Sequence, residues 1–402
     1  MSCAADLEEI VTPLLRMHLG DASARLTHLA ATQLPSEGFS GHELYRADLA
    51  WNGGRRGTKP GSARWVLKRW QPDGHSVRLL SVDAPVEALA WEHGILRPDA
   101  LPQEVAAPLI GTRHDADGRS VWIAMDDVSA DLDQYSRQRP IPGTVALDRL
   151  KTILTRLAQY HVWWESPARQ GTLRSQPWLV PVERILWCEA GSHAEALGRA
   201  RPVQAAAGTT VTAEFRANIE AFLAWLPTRD RPPFADLLCN RAALVSAFAP
   251  LPRTLLHGDL DDRNIGLRLT APDAADNPAA AAPVELVLID WEWMGMGPPA
   301  LDVSRVWATF AAVCDPSELL PAAALTDELP LFYLEQYRQH GGRRISDGEW
   351  RQQFGLALLA NGMTQIDFFG AMVRGNVTPV LNTLEPQFAI MVEAARELVA
   401  AR

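Results

Sequence analysis

The sequence predicts an α+β fold in two parts, a small β-rich N-terminal lobe over residues 1–128 and a larger, mainly helical C-terminal lobe over residues 129–402. Three observations carry this expectation. Apolar residues alternate with period two through most of the first third, which is the signature of half-buried strands. After Asp131 the apolar spacing changes to steps of three and four, the signature of amphipathic helices. Between residues 253 and 292 a short apolar run, LVLIDWE, interrupts the helices as a buried strand.

Taken in order, Leu7, Ile10, Val11, Leu14 and Leu15 form one face of a first helix that stops at Gly20. Tyr45, Ala47, Leu49 and Trp51 then alternate along one strand, and ARWVLKRW forms the next, with an exposed turn over residues 52–62. Val86, Leu89, Ala90, Ile95 and Leu96 suit a short helix, and two strands follow around an Asp-Ala-Asp-Gly turn, ending at IAMDDV. In the second part, Leu147, Leu150, Leu154, Leu157, His161 and Trp164 share a helical face, with His161 read as a core or capping histidine and Trp163 and Trp164 as packing residues. Helical patterns recur at 211–227, around 300–340 and along 376–401, and ADNPAAAAPV reads as a low-complexity loop before the buried strand.

Composition narrows the function. With 402 residues, 47% hydrophobic and 21% charged, the chain is neither fibrous nor disordered. A net charge of −10 argues against nucleic acid or an anionic membrane as partner, since both need a basic face. No apolar run spans a bilayer and acids stand where a signal peptide needs basic residues, so a cytoplasmic protein is expected. Cys3, Cys188, Cys239 and Cys314 are scattered without a CxxC pair, which supports neither a disulfide framework nor a structural zinc site. The loop RRGTKPGSARW lacks P-loop spacing, and no G-x-S-x-G or HExxH motif is present.

The most informative stretch is LLHGDLDDRNIGL, followed by LVLIDWEW. It sets His257, Asp259 and Asn264 at spacing H-x-D-x-x-x-x-N, with Asp290 placed 31 positions after Asp259. Protein kinases use H-R-D-x-x-x-x-N and a later Asp for one purpose: an Asp receives the proton of the attacking hydroxyl, while the Asn and the second Asp hold magnesium on the nucleotide phosphates. Oxygen ligands on a short loop after a buried strand suit that hard cation.

These residues resemble the aminoglycoside phosphotransferase and choline kinase-like family, small-molecule kinases with a protein-kinase-like fold. The resemblance rests on HGDLDDRN at 257–264, IDWE at 289–292 and GMGPPALDVS at 295–304. It implies a bilobal fold, Asp259 as catalytic base, Asn264 and Asp290 as Mg2+ ligands, and His257 as a brace for the loop. Asp302 is implied to be structural, tying the segment after the metal site to the helical lobe. ATP or GTP is the implied phosphate donor and the hydroxyl of a small molecule the acceptor, either an antibiotic or a metabolite such as an amino alcohol or sugar.

The first lobe offers the remaining parts. Lys68 lies on the strand RWVLKRW, where a cation for the phosphates is expected, and either Glu87 or Glu92 on the next helix is its partner. Gly38, Ser40 and Gly41 form a turn whose backbone N–H groups can approach a phosphate. Met125, Asp126 and Val128 form the hinge expected to meet an adenine ring.

Departures from protein kinases are informative. Gly258 replaces the Arg of the triplet, Trp291 replaces the Phe that follows the metal-binding Asp, and no activation segment follows, which argues against protein substrates. Asp261 stands where serine/threonine kinases carry a lysine, so Lys68, the metal and a nearby Arg such as Arg263 are expected to supply the missing charge. Asp261, Asp262 and Glu292 suggest a cationic or polyhydroxylated acceptor, with Trp178, Trp187 and Trp291 as candidate aromatic faces. Two alternatives stay open: a metal-dependent hydrolase built on His257, Asp259 and Asp290, and a nucleotide-binding module without catalysis. Monomer and homodimer are equally compatible with the sequence.

Overall fold

The alternation of the first third builds an antiparallel sheet backed by the first helix. The computed structural model describes residues 4–35, 42–53, 59–71, 85–115, 118, 120–132, 143–181, 193–194, 196–198, 211–269, 284–313, 328–376 and 378–400. The chain divides into two units, Met1–Leu132 with Val287–Glu292, and Asp133–Leu286 with Trp293–Arg402.

In the first unit, helix α1 (Ala4–Leu19) ends at Gly20, whose φ of +60° lets its N–H donate back to Met17 O and that of Asp21 to Arg16 O. Strands β1 (Arg25–Leu34), β2 (Glu43–Asn52) and β3 (Gly61–Trp70) follow, then helix α2 (Val86–Glu92), the short β4 (Val105–Ala106), β5 (Leu109–His114) and β6 (Val121–Asp126). Sheet order is β1-β2-β3-β6-β5, antiparallel throughout. Residues 54–58 of the expected turn between β2 and β3 lie outside the described residues.

Tyr45, Ala47 and Leu49 of β2, Trp65 and Leu67 of β3 and Trp122 and Ala124 of β6 form one buried cluster with Leu7, Ile10, Val11, Leu14 and Leu15 of α1. Because strand side chains alternate, Lys68 projects from the face of β3 opposite to that of Leu67. The register fixes it further, opposite Leu44 on β2 and Ile123 on β6. The helical core thus decides which face of the sheet is left for a charged group.

The chain continues through α3 (Gly143–Glu165), α4 (Pro167–Arg174), α5 (Ala213–Trp225), α6 (Arg231–Cys239) and α7 (Ala242–Phe248). Three strands follow, β7 (Thr254–Leu256), β8 (Ile265–Leu269) and β9 (Val284–Leu288), then a 3₁₀ turn at Trp291–Trp293 and β10 (Gly295–Gly297). The remaining helices are α8 (Ala300–Val313), α9 (Leu329–Gln339), α10 (Asp347–Thr364), α11 (Ile366–Arg374) and α12 (Thr378–Ala400). Strand β7 pairs antiparallel with β10, setting Leu256 opposite Gly295. Helix α3 packs on α9, and α10 packs on both α8 and α12.

Helix α10 has no counterpart in the expected pattern. A capping box between Ser346 and Glu349 starts it, and residues Gln353 to Ala360 are buried without interruption. A helix buried on every side carries no amphipathic stripe to read. Among the described residues no single helix is long and apolar enough to cross a membrane.

Trp65 is fully buried in the α1–sheet cluster. Replacing Trp65 with Ala is expected to lower the unfolding free energy by about 3–5 kcal/mol, read as a shift in the urea midpoint. Ser62→Ala, on the exposed part of the same strand, should leave that midpoint unmoved.

Candidate active site

In the second unit, the three buried residues of β7 deliver the loop His257–Asn264. Gly258 explains the departure from the protein-kinase triplet. Its φ is +85°, and a Cβ there would stand 2.1 Å from the carbonyl oxygen of Trp293. An Arg cannot occupy that position without moving the backbone.

Asp302, in the first turn of α8 and 1% exposed, holds this loop by its main chain. The N–H groups of His257 and Gly258 donate to Asp302 Oδ2 and Oδ1, each at 2.9 Å. His161 of α3 faces the same carboxylate, with Nε2 3.3 Å from Oδ2, and its Nδ1 lies 2.7 Å from the Tyr333 hydroxyl of α9. Burial pushes the Tyr333 phenol well above its ordinary range, with nearby carboxylates adding to it. The Asp302 carboxylate can only accept, so His161 Nε2–H donates to it, and Nδ1 of that tautomer accepts from the Tyr333 hydroxyl. His161, expected as a core or capping histidine, is a fully buried core residue that makes polar contacts.

Within the loop, the Asp259 N–H donates to His257 Nδ1 at 3.3 Å, so the buried His257 braces the turn. Asn264 Nδ2 donates to the Asp259 carbonyl at 2.9 Å and reaches Asp259 Oδ2 at 3.4 Å. With its nitrogen so engaged, Asn264 has its amide oxygen to offer a cation. Asp261 accepts the Arg263 backbone N–H at 2.9 Å and its guanidinium at 2.6 Å. That guanidinium is 67% exposed and spends its charge on Asp261. Asp262 is buried.

Sequence reasoning missed Arg305, which donates to Asp259 Oδ1 at 2.8 Å. The signal was present but only as geometry: Arg305 lies three residues beyond Asp302 on α8, hence on the same helical face.

In the first unit, Lys68 is buried among acids. Its Nζ stands 2.6 Å from Asp290 Oδ1, 3.3 Å from Glu87 Oε2 and 3.9 Å from Glu292 Oε2. Burial alone would push the ammonium down, but Asp290, Glu87 and Glu292 outweigh it and hold Lys68 above the usual lysine range. Burial pushes the Glu87 carboxyl up, against the pull of Lys68. Between the two candidate partners, Glu87 is the one on Lys68, whereas Glu92 bonds to Thr112 and His114 of β5.

Asp290 has a φ of 61°, in the left-handed region that non-glycine residues rarely occupy, and its side chain is 41% exposed. Such strain clusters at functional sites. Glu292 is buried with Oε1 3.1 Å from Nε2 of the equally buried His42, a second residue that sequence reasoning missed. Trp291, expected as an aromatic face for the acceptor, is instead fully buried and donates its indole N–H to Leu288 O. It packs the core, because the 3₁₀ turn that follows Asp290 directs it inward.

At the expected hinge, Met125 sits on β6 opposite Val66, the Asp126 N–H donates to Pro108 O, and Val128 O accepts from Asp131 and Leu132. Asp127 accepts from Ser129 and pairs with Arg46 at 3.1 Å. Burial would raise the Asp127 carboxyl, but the Ser129 bonds and the charges of Arg46 and Arg64 outweigh that and hold it below the usual range. Gly38, Ser40, Gly41 and Trp187 lie outside the described residues, as do Cys3, Cys188 and Cys314. Trp178 is half-buried and donates to Gln176.

Replacing Asp302 with Ala strands the buried His257 N–H, the part-buried Gly258 N–H and the His161 imidazole. The expected cost is about 2–5 kcal/mol, measured by chemical denaturation. An unchanged midpoint would show that the carboxylate is not what secures the loop.

No protein-family model matches the chain, and no curated protein sequence does. Among solved structures, the chain is similar to a candidate aminoglycoside phosphotransferase from Ralstonia eutropha, at 15% identity and a TM-score of 0.46, over 97% of this chain and 98% of that one. It is similar to a choline kinase from Cryptosporidium parvum at 11% identity and a TM-score of 0.47, over 96% and 97% of the two chains. It is also similar to an amicoumacin kinase in complex with AMP-PNP and Ca2+, at 11% identity and a TM-score of 0.39, over 93% and 94%.

Proposed function

We propose that the protein is a small-molecule kinase that moves the γ-phosphoryl group of ATP or GTP to a hydroxyl of its acceptor. The observation that carries this reading is the buried Lys68, paired with Glu87 of α2 and with the strained Asp290 of IDWE. Phosphoryl transfer needs a fixed cation for the phosphates beside a metal-binding carboxylate, and a hydrolytic metal centre needs neither the strand lysine nor its helix glutamate.

In this reading Lys68 contacts the α- and β-phosphates, and the backbone of Met125, Asp126 and Val128 meets the nucleotide base. Gly38, Ser40 and Gly41 contribute backbone N–H groups to the phosphates. Asp259 receives the proton of the acceptor O–H, the acceptor oxygen forms the new bond to γ-phosphorus, and the bond from γ-phosphorus to the β–γ bridging oxygen breaks, releasing the nucleoside diphosphate. Asn264 and Asp290 are the residues that would hold magnesium in this reading: each, within its own unit, offers a hard oxygen, Asn264 because its nitrogen is bonded to Asp259 and Asp290 because its carboxylate is partly exposed. When bound, magnesium neutralises charge on the phosphate oxygens.

The structure of the loop weighs against the hydrolase alternative. His257 is fully buried and gives Nδ1 to the Asp259 N–H, and among the described residues no group of three His, Cys, Asp or Glu side chains could hold a metal. Two of the acids read as a sign of a cationic acceptor also lose their force. Asp261 is neutralised by Arg263, and Glu292 is taken up by His42 and the neighbourhood of Lys68. The acceptor class is thus a small hydroxyl compound, with no preference for positive charge drawn from these residues.

The test is transfer from γ-labelled ATP and GTP, with magnesium, into pooled aminoglycosides, nucleoside antibiotics, amino alcohols and sugars. A labelled product is expected, reduced at least about 100-fold by Asp259→Asn while nucleotide binding persists, whereas Asp290→Ala weakens magnesium-dependent nucleotide binding. Absence of any nucleotide binding by the unmodified protein would overturn the reading. A second comparison isolates the Lys68 partner: Glu87→Gln is expected to raise the nucleotide KM about tenfold, as loss of a charge-assisted bond implies, and Glu92→Gln to leave it unchanged. Equal effects would remove Glu87 from that role.

A further inference from the structure

Asp259 does not stand alone on its loop. Its Oδ1 accepts from the Arg305 guanidinium at 2.8 Å, and both side chains are mostly shielded, with 23% and 18% of their surface exposed. Arg305 Nε is buried and has no hydrogen-bond partner among the described residues, so among them the Asp259 contact is not one link of a larger charge network through that atom. The helix that carries Arg305 also carries Asp302, one turn earlier, whose carboxylate grips the main chain of His257 and Gly258. One turn of α8 therefore fixes the loop twice, by its backbone and by the carboxylate at its centre. The other guanidinium close at hand, that of Arg263, is turned onto Asp261.

We infer that Arg305 is a positioning residue for phosphoryl transfer, holding the Asp259 carboxylate by Oδ1 so that Oδ2 is the oxygen presented to the acceptor hydroxyl. This rests on the assignment of Asp259 as the base. A carboxylate on a short side chain rotates about two bonds, and a proton acceptor must stay within hydrogen-bond reach of the O–H it serves. Asn264 Nδ2, at 3.4 Å from Oδ2, is too distant to fix the rotamer firmly. The charge-assisted bond from Arg305 is the stronger restraint.

The experiment compares Arg305→Ala, Arg305→Lys and Asp259→Asn with the unmodified protein on the acceptor found by the transfer assay, alongside nucleotide affinity and thermal stability. Arg305→Ala is expected to lower kcat by about tenfold or more with the nucleotide KM and affinity unchanged. Added guanidinium should recover part of that loss, and Arg305→Lys should retain intermediate activity. In the Asp259→Asn background, Arg305→Ala should have no further effect on transfer. An unchanged kcat in Arg305→Ala, or a loss that neither guanidinium nor lysine recovers, overturns the inference. Should Arg305→Ala fail to fold, the Lys variant decides: kcat equal to that of the unmodified protein, or a change confined to KM, overturns it. If instead Asp259→Asn itself transfers phosphate normally, the base assignment has failed, and that outcome is distinct from failure at Arg305 alone.

Discussion

The second unit is organised around one buried carboxylate. Asp302 is taken out of water at the start of α8, and a charge so placed must be compensated by donors. Two of these are main-chain N–H groups of the loop that β7 delivers, and a third is the imidazole of His161, itself supported by Tyr333. Helices α3, α8 and α9 are thereby referred to the same point as residues 257 and 258. The position of Asp259 follows from that anchorage, since it is the next residue along. The N-terminal end of α8 adds its own partial positive charge to the arrangement, which favours an anionic side chain in the first turn.

A different balance governs the first unit. Lys68 faces Glu87, Asp290 and Glu292, so one ammonium meets three carboxyl groups in a place shielded from water. The three carboxylates hold the ammonium above the usual lysine range, while burial pushes the Glu87 carboxyl up against the pull of Lys68. Glu292 finds a second partner in His42, immediately ahead of β2. Asp290 remains the most exposed of the three, held in a left-handed backbone that turns the chain from β9 into the 3₁₀ turn. The strained residue is thus the one whose carboxylate is open to solvent.

How much of this could be read from the chain depends on whether the information is local. HGDLDDRN and IDWE stand out in the chain because residue type and spacing occur together, and Gly20 because a helix end with positive φ favours glycine; Gly258 reads only as a departure from the protein-kinase triplet, and its positive φ is a fact of the structure. The strand bearing Lys68 was legible from alternation, but its partner was not. Glu87 and Glu92 lie five residues apart on a helix, which points them in different directions, and only the placement of α2 shows that the first meets Lys68 and the second meets β5. Trp291 was read as a surface face because aromatic residues near a site suggest one, yet the turn after Asp290 buries it. Helix α10 was invisible to periodicity because its middle, Gln353 to Ala360, is buried on every side. Membership of Val287–Glu292 in the first unit is a tertiary fact that no window of sequence contains.

Gly258 and Asp261 are linked departures rather than independent ones. Where protein kinases place an Arg and a Lys in this loop, the chain has a glycine pressed against Trp293 and an acid neutralised by Arg263. Both substitutions remove positive charge from the loop itself. In the second unit the cation brought to Asp259 comes from α8, in Arg305. In the first unit the buried cation beside Asp290 comes from β3, in Lys68. The two acidic residues assigned to the chemistry are therefore each served by a cation from a regular element instead of from the loop. Side chains rooted in helices and strands are held more firmly than those on a short loop, so the charge lost from the loop is replaced by charge whose position the fold itself defines.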